Sequence, residues 1–323
     1  MSTTILLADK LQDGAFEGLP NIEVLNKPEL TAGDLPSVMS EVQVLVVRST
    51  KVTAAAIEAA PGLKLIVRAG SGVNNIDVKA ASARGIFVAN CPGRNAVAVA
   101  ELAMGLILCL DRRIADNVAD LRAGRWNKGG YAKAQGLKGQ KLGLVGFGNI
   151  AQQVARRAKA FDIEVSSCAL SLTPQQAEEH GIEYVTDLKA LFETCDIISL
   201  HIPAAADTKG MIGKDLLNAM KPGAMLINTS RAQVIDNDAL TEALTSERIR
   251  FGTDVFAMEP EGKAGAFEDP LGKLPNVYGT HHIGASTQQA QNEVAQCAIE
   301  IVQTYLASGE VPLAVNHAEL ASS

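Results

Sequence analysis

One glycine-rich turn constrains this chain more than any other segment, and it lies in the middle of the sequence. It reads Lys141-Leu142-Gly143-Leu144-Val145-Gly146-Phe147-Gly148-Asn149-Ile150-Ala151-Gln152. A short apolar run leads into Gly146-x-Gly148-x-x-Ala151, and the apolar spacing that follows predicts a helix over residues 150–161. That strand–turn–helix setting is what a dinucleotide fingerprint requires. Gly146 permits the tight turn, Gly148 lets backbone amides approach a pyrophosphate, and Ala151 is small enough for the helix to pack on the strand. The helix start, with Asn149 and Ile150, offers free N–H groups and a partial positive charge to the phosphates. A bare turn of this composition is also an ordinary strand-to-helix connection; the flanking strand and helix favour the dinucleotide reading.

In such a fold the second strand ends in Asp or Glu about 20 residues on, where the acid holds the ribose hydroxyls of NAD. Here that stretch reads Ile163-Glu164-Val165-Ser166-Ser167-Cys168-Ala169-Leu170-Ser171, with Ala169 at the expected place. No acidic residue occurs between Glu164 and Glu178, and between Arg157 and Lys189 the sole Lys or Arg is Lys159, inside the preceding helix. The rim is therefore neutral. NAD is the expected cofactor, with NADP tolerated.

A chain of 323 residues suggests about two domains. Hydrophobic residues at 47% and charged residues at 20% suit an α/β enzyme, and aromatics at 4% are too scarce for a surface that stacks single-stranded nucleic acid. A formal charge of −7 argues against a polyanionic partner, so an anionic substrate must be held by a local basic cluster. The five cysteines are odd in number and widely spaced, with no metal-ligand motif, and read as small buried hydrophobes in a reducing compartment. No metal site is expected. The first residues lack the basic start and long apolar stretch of a signal peptide, and no apolar run reaches membrane-spanning length, so a cytoplasmic location away from membranes is expected.

Strand-like runs at 4–8, 44–48, 65–68 and 86–89 alternate with helical ones at 53–60 and 77–83, which implies a mostly parallel sheet. A long, nearly all-apolar helix fits 96–110, a polar one 114–123, and a loop with the single Trp follows over 124–139. Beyond the glycine turn, strands fit 197–200, 224–228 and 250–254, and a last helix fits 286–307. That helix has no strand partner in the second half. The simplest architecture is α/β, with two Rossmann-like domains on parallel sheets. A substrate-binding domain of residues 1–98 and 286–323 is interrupted by an NAD-binding domain of residues 99–285.

Three polar residues follow strand-like runs in the second half: Arg231, Glu259 and His282. Each alone is an ordinary surface residue. Gathered beyond the carboxyl ends of one sheet, where ligands bind, they match the needs of hydride transfer to a 2-keto acid. Arg grips a carboxylate in two-pronged fashion, His exchanges protons near neutral pH, and a carboxylate beside the imidazole favours its protonated form.

Together with these residues, five blocks carry a resemblance that spans almost the whole chain. They are residues 46–53, 68–77 (Arg68-Ala69-Gly70-Ser71-Gly72-Val73-Asn74-Asn75-Ile76-Asp77), 228–231, 254–260 and 282–286 (His282-Ile283-Gly284-Ala285-Ser286). The chain resembles the D-isomer-specific 2-hydroxyacid dehydrogenases, and among them the short-form D-3-phosphoglycerate dehydrogenases. The resemblance implies Arg231 as substrate anchor, His282 as acid/base and Glu259 as its partner. It implies cofactor contacts from Ser71, Gly146, Gly148, Asn149, Ile150, Ala169, Pro203, Thr229, Ser230, Asp254 and Gly284. Substrate contacts are implied for Arg48, Ser49, Lys51, Arg68, Gly70, Ser71 and Gly72, with Lys128 a further cation for a phosphate. It also implies a homodimer or homotetramer acting on a small anionic 2-hydroxy or 2-keto acid. D-3-phosphoglycerate is the leading substrate; hydroxypyruvate, glyoxylate and a sulfonated lactate are alternatives. A binding protein that senses NAD is the alternative of another class. The chain departs from the pattern at Ala169, at Ala232 where Gly is usual, and at His281 where Pro is usual.

Overall fold

The computed structural model describes residues 2–11, 16, 21–260 and 264–320. The chain forms two compact units, residues 1–95 with 286–323, and residues 96–285. In the first unit the strands are β1 (Thr3–Leu7), β2 (Ile22–Asn26), β3 (Val44–Val47), β4 (Leu65–Arg68) and β5 (Phe87–Asn90). They form one parallel sheet in the order β2-β1-β3-β4-β5. β3 is Val-Leu-Val-Val and is buried throughout. Val44 and Val46 join one core and Leu45 and Val47 the other, so helices cover both faces. One face packs against the helix Gln288–Ser308 through Val294, Cys297, Ala298 and Ile301.

In the second unit the strands are β6 (Lys141–Val145), β7 (Glu164–Cys168), β8 (Glu183–Tyr184), β9 (Ile197–Leu200), β10 (Met225–Asn228), β11 (Arg250–Thr253) and β12 (Val277–Gly279). All pair in parallel, in the order β12-β11-β10-β9-β6-β7-β8. The order reverses between β9 and β6, which is where a doubly wound sheet opens a crevice at its carboxyl edge. The helices Ala96–Arg112 and Asn149–Lys159 cover one face, against Leu142, Leu144, Ile197 and Ile227. Val145, Ile198, Leu200 and Leu226 face the other way, into a second core.

Several elements were not expected from the sequence, β2 and the helix Pro174–His180 among them. β2 is an edge strand of half-buried, partly polar residues, which lacks the apolar run that marks the inner strands. The helix Pro174–His180 carries Thr173 in a capping box with Gln176, Pro at its start and left-handed Gly181 at its end. Those signals were readable but short. No helix among the described residues is long and apolar enough to cross a membrane.

Candidate active site

The register of the second sheet aligns one residue past the end of each strand. Val145 pairs with Cys168 and Leu200, Leu200 with Asn228, Asn228 with Thr253, and Thr253 with Gly279. The next position on each strand is therefore a row: Ala169, Gly146, His201, Thr229, Asp254 and Thr280. Four of the six, Ala169, Gly146, Thr229 and Asp254, were singled out in the sequence as cofactor contacts; His201 and Thr280 were not. Gly146 adopts φ +89°, and a Cβ there would lie 2.6 Å from the His201 carbonyl oxygen. Only glycine satisfies both demands. Gly148 is different: a Cβ there would meet nothing within 4 Å. It caps the helix Asn149–Lys159 with no side-chain hydrogen bond, so the first amides of that helix face open space. His201 Nδ1 and Thr229 Oγ1 are buried and have no partner among the described residues. An open, uncapped helix start and two orphaned polar atoms on the same edge fit a dinucleotide laid across it.

The fifth position, Asp254, is buried, and its carboxylate organises the next loop. Oδ1 accepts from Thr280 Oγ1 at 2.5 Å and from the Ile283 amide at 2.8 Å, while Oδ2 accepts from the Gly284 amide at 2.7 Å. The His282 amide donates to the Asp254 carbonyl at 2.9 Å. A Cβ on Gly284 would come within 2.9 Å of Oδ2, so the glycine admits this approach. His282 itself has φ +52°. The resemblance implied a cofactor contact for Asp254; its hold on the histidine loop was not legible without the fold.

That loop brings His282 and Glu259 together: His282 Nδ1 lies 2.8 Å from Glu259 Oε2. Glu259 Oε1 accepts from the Phe256 amide at 2.8 Å, which fixes the carboxylate. Glu259 raises the imidazole above its ordinary value, chiefly by the hydrogen bond, against desolvation and the opposing charge of Arg231. Burial pushes the Glu259 carboxyl up, yet the bonds from His282 and Phe256 and the charges of His282 and Arg231 outweigh it, leaving it below the usual range. Arg231 is thus electrostatically linked to both. It follows β10, where Asn228 ties the turn by accepting from the Ser230 amide and hydroxyl and donating to the Arg231 carbonyl at 2.9 Å. Arg231 Nη1 donates to the Ser230 carbonyl at 2.7 Å. His201 is no rival acid: burial lowers it to about 4, and its Nε2 contacts Ser199 Oγ at 2.9 Å. Pro203 lies in a loop held by Thr208, whose hydroxyl donates to the Pro203 carbonyl at 2.6 Å.

In the first unit the expected substrate residues cluster at the ends of β3 and β4. Arg68 Nε donates to the Arg48 carbonyl at 3.1 Å. The Arg68 guanidinium folds over Gly70, where a Cβ would collide with it. The Ser71 hydroxyl donates to Asn95 Oδ1 at 2.6 Å, and its carbonyl accepts from Asn90. Asp9, which the sequence did not single out, accepts from the amides of Arg48, Ser49 and Thr50 at 2.7, 3.0 and 2.9 Å. These three amides are therefore filled by the protein's own carboxylate and are not open to a bound anion. Lys128 belongs to the second unit, on the single turn Lys128–Tyr131. Among the described residues no group of His, Cys, Asp and Glu is arranged to hold a metal ion.

Residues 104–284, more than half of the chain, match the family model of the D-isomer-specific 2-hydroxyacid dehydrogenase NAD-binding domain. This chain belongs to that family. A hydroxypyruvate reductase of Thermotoga maritima is 43% identical over 91% of this chain and 94% of its own length. A D-3-phosphoglycerate dehydrogenase of Methanocaldococcus jannaschii is 40% identical over 94% of this chain, which spans 57% of that relative. A glyoxylate/hydroxypyruvate reductase of Sinorhizobium meliloti, NADPH-dependent and solved with NADP and malonate, is 28% identical with a TM-score of 0.83, covering 99% of this chain and 98% of that one. The family's NAD-binding domain is the second unit's sheet with its glycine turn.

Proposed function

We propose that this 2-hydroxyacid dehydrogenase oxidises D-3-phosphoglycerate at C2 to the 2-keto acid. The carrying observation is that Arg48 and Arg68 stand at the ends of adjacent strands, where Arg68 Nε donates to the Arg48 carbonyl, with Lys51 exposed three residues beyond Arg48. NAD, when bound, supplies the hydride acceptor. Gly146, Gly148 and the helix start at Asn149 and Ile150 would hold its pyrophosphate, and Thr229 and His201 offer further polar contacts. Arg231 holds the substrate carboxylate. The Glu259 contact engages Nδ1 of His282, so Nε2 is the nitrogen that takes the C2 hydroxyl proton and returns it in the reverse direction. Asp254 keeps that imidazole in place through the loop it binds.

A second reading, reduction of hydroxypyruvate or glyoxylate, is supported by Asp9, which fills the amides a phosphate would seek, and by the Thermotoga maritima relative of matching length. Kinetics on 3-phosphohydroxypyruvate, hydroxypyruvate and glyoxylate separate the two. For the first reading, Arg48→Ala and Lys51→Ala impair the phosphorylated substrate at least tenfold more than the others, the scale of one lost ionic contact of about 1.5–3 kcal/mol. Equal losses on all three favour the second. Absence of turnover on any 2-keto acid, with NADH bound, favours a sensor.

We also propose a homodimer. The helix Ile114–Arg122 exposes Ile114, Val118 and Leu121 on one stripe, followed by Trp126 at 80% exposure. Apolar residues so placed mark an association surface.

A further inference from the structure

We propose that Ala169 makes the adenosine end of the cofactor site indifferent to a 2′-phosphate, so that the protein binds NADH and NADPH with similar affinity. The inference rests on the dinucleotide reading of the glycine turn. Ala169 stands beside Gly146 in the register, since Val145 pairs with Cys168 and the Gly146 amide donates to the Cys168 carbonyl at 2.9 Å. It is therefore at the strand end where a ribose is read, one step from the pyrophosphate turn.

Residues 169–173 carry neither sign of charge, and Asp187, an acid whose charge reaches Cys168, is engaged in capping the helix Leu188–Thr194 through the Lys189 amide. The turn after β7 closes by the Leu172 amide donating to the Ala169 carbonyl at 3.3 Å. Leu170 is fully exposed on that turn and brings no polar atom. The Thr173 hydroxyl accepts from the Gln176 amide at 3.2 Å, and the Thr173 amide donates to Gln176 Oε1 at 3.0 Å, so both side chains are spent on capping the next helix. Cys168 Sγ turns toward the Thr186 carbonyl. Ser171, exposed and neutral, is the remaining polar side chain of the turn. Lys159 lies in the last turn of its helix, about 15 Å of helix rise from the crevice, and its ammonium is bonded to the His180 carbonyl. A carboxylate at position 169 would bind the ribose hydroxyls and repel a phosphate. An arginine would attract one. Alanine does neither.

Isothermal titration with NADH and NADPH tests this without turnover, alongside 5′-ADP and 2′,5′-ADP as probes of the adenosine end alone. The expected wild-type ratio of dissociation constants is within about tenfold for each pair. Ala169→Asp tightens NADH about tenfold and weakens NADPH about a hundredfold, each decade being 1.4 kcal/mol. Ser171→Arg moves the preference toward NADPH and needs no change at Ala169. A wild type that already excludes NADPH and 2′,5′-ADP more than a thousandfold overturns the proposal, as does an Ala169→Asp protein of unchanged ratio. If Ala169→Asp does not fold, the wild-type ratios and Ser171→Arg decide. Failure to bind either dinucleotide would instead count against the turn as the cofactor site.

Discussion

At the scale of residues, the His282–Glu259 pair makes the site's chemistry depend on pH in a stated direction. His282 is raised and Glu259 lowered, so the charged pair persists between those two values. The stabilisation from the raised imidazole is complete below its ordinary value and is lost as pH rises through the folded one. That from the lowered carboxyl is lost as pH falls through its folded value. With His282 as the proposed acid/base, reduction of a keto acid needs the imidazolium, so its rate should fall as pH rises through the His282 value, while oxidation needs the neutral ring and should gain over the same interval. Glu259→Gln removes the charge, and a pH–rate profile of reduction should show the alkaline fall at lower pH. An unmoved profile would separate Glu259 from the proton transfer. His282→Asn should lower turnover by about 10²–10⁴ while NADH binding, followed by fluorescence, stays near normal. Full turnover in that variant would reassign the step, with exposed His281 the next residue to test.

At the scale of elements, the glycine turn tolerates little. Gly146→Ala places a Cβ against backbone rather than a movable side chain, at a positive φ. A loss of about 1–3 kcal/mol in stability is expected, together with weakened NADH binding. Denaturant melts and titration of the same sample measure both. The elements that were legible in advance are those with an unambiguous period: β9 (Ile197–Leu200) and β4 (Leu65–Arg68) fall on the expected residues, and the long apolar helix starts at Ala96 as expected. Edge strand β2 was not legible, because half of its surface faces solvent and its residues are mixed. Arg231, Glu259 and His282 could be singled out because each follows a strand; the two that meet through a hydrogen bond are 23 residues apart. Asp9 and the second role of Asp254 could not, since each acts through backbone amides whose position depends on the folded loops.

At the scale of the whole molecule, association and assembly come to the fore. Leu121→Asp on the exposed stripe should convert a dimer to a monomer in sedimentation runs, with the circular dichroism spectrum unchanged; a variant that stays dimeric would place the interface elsewhere. Completion of the first unit depends on distant chain. Edge strand β5 is closed by residues near the end of the sequence: Val88 donates to Asn316 Oδ1 at 2.9 Å, Val315 donates to the Val88 carbonyl at 2.8 Å, and Ala89 bridges Ala314 in antiparallel fashion. Asn316 is buried and also reaches Ser82 and the Ile86 carbonyl. The second unit is continuous and has no such wait. A ribosome adding about 5–20 residues per second takes roughly 10–45 seconds to travel from Val88 to Asn316. For that interval the nascent chain carries an open sheet edge and a face not yet covered by the helix Gln288–Ser308, the kind of surface that holdase chaperones occupy. The half of the protein made first is therefore the half finished last.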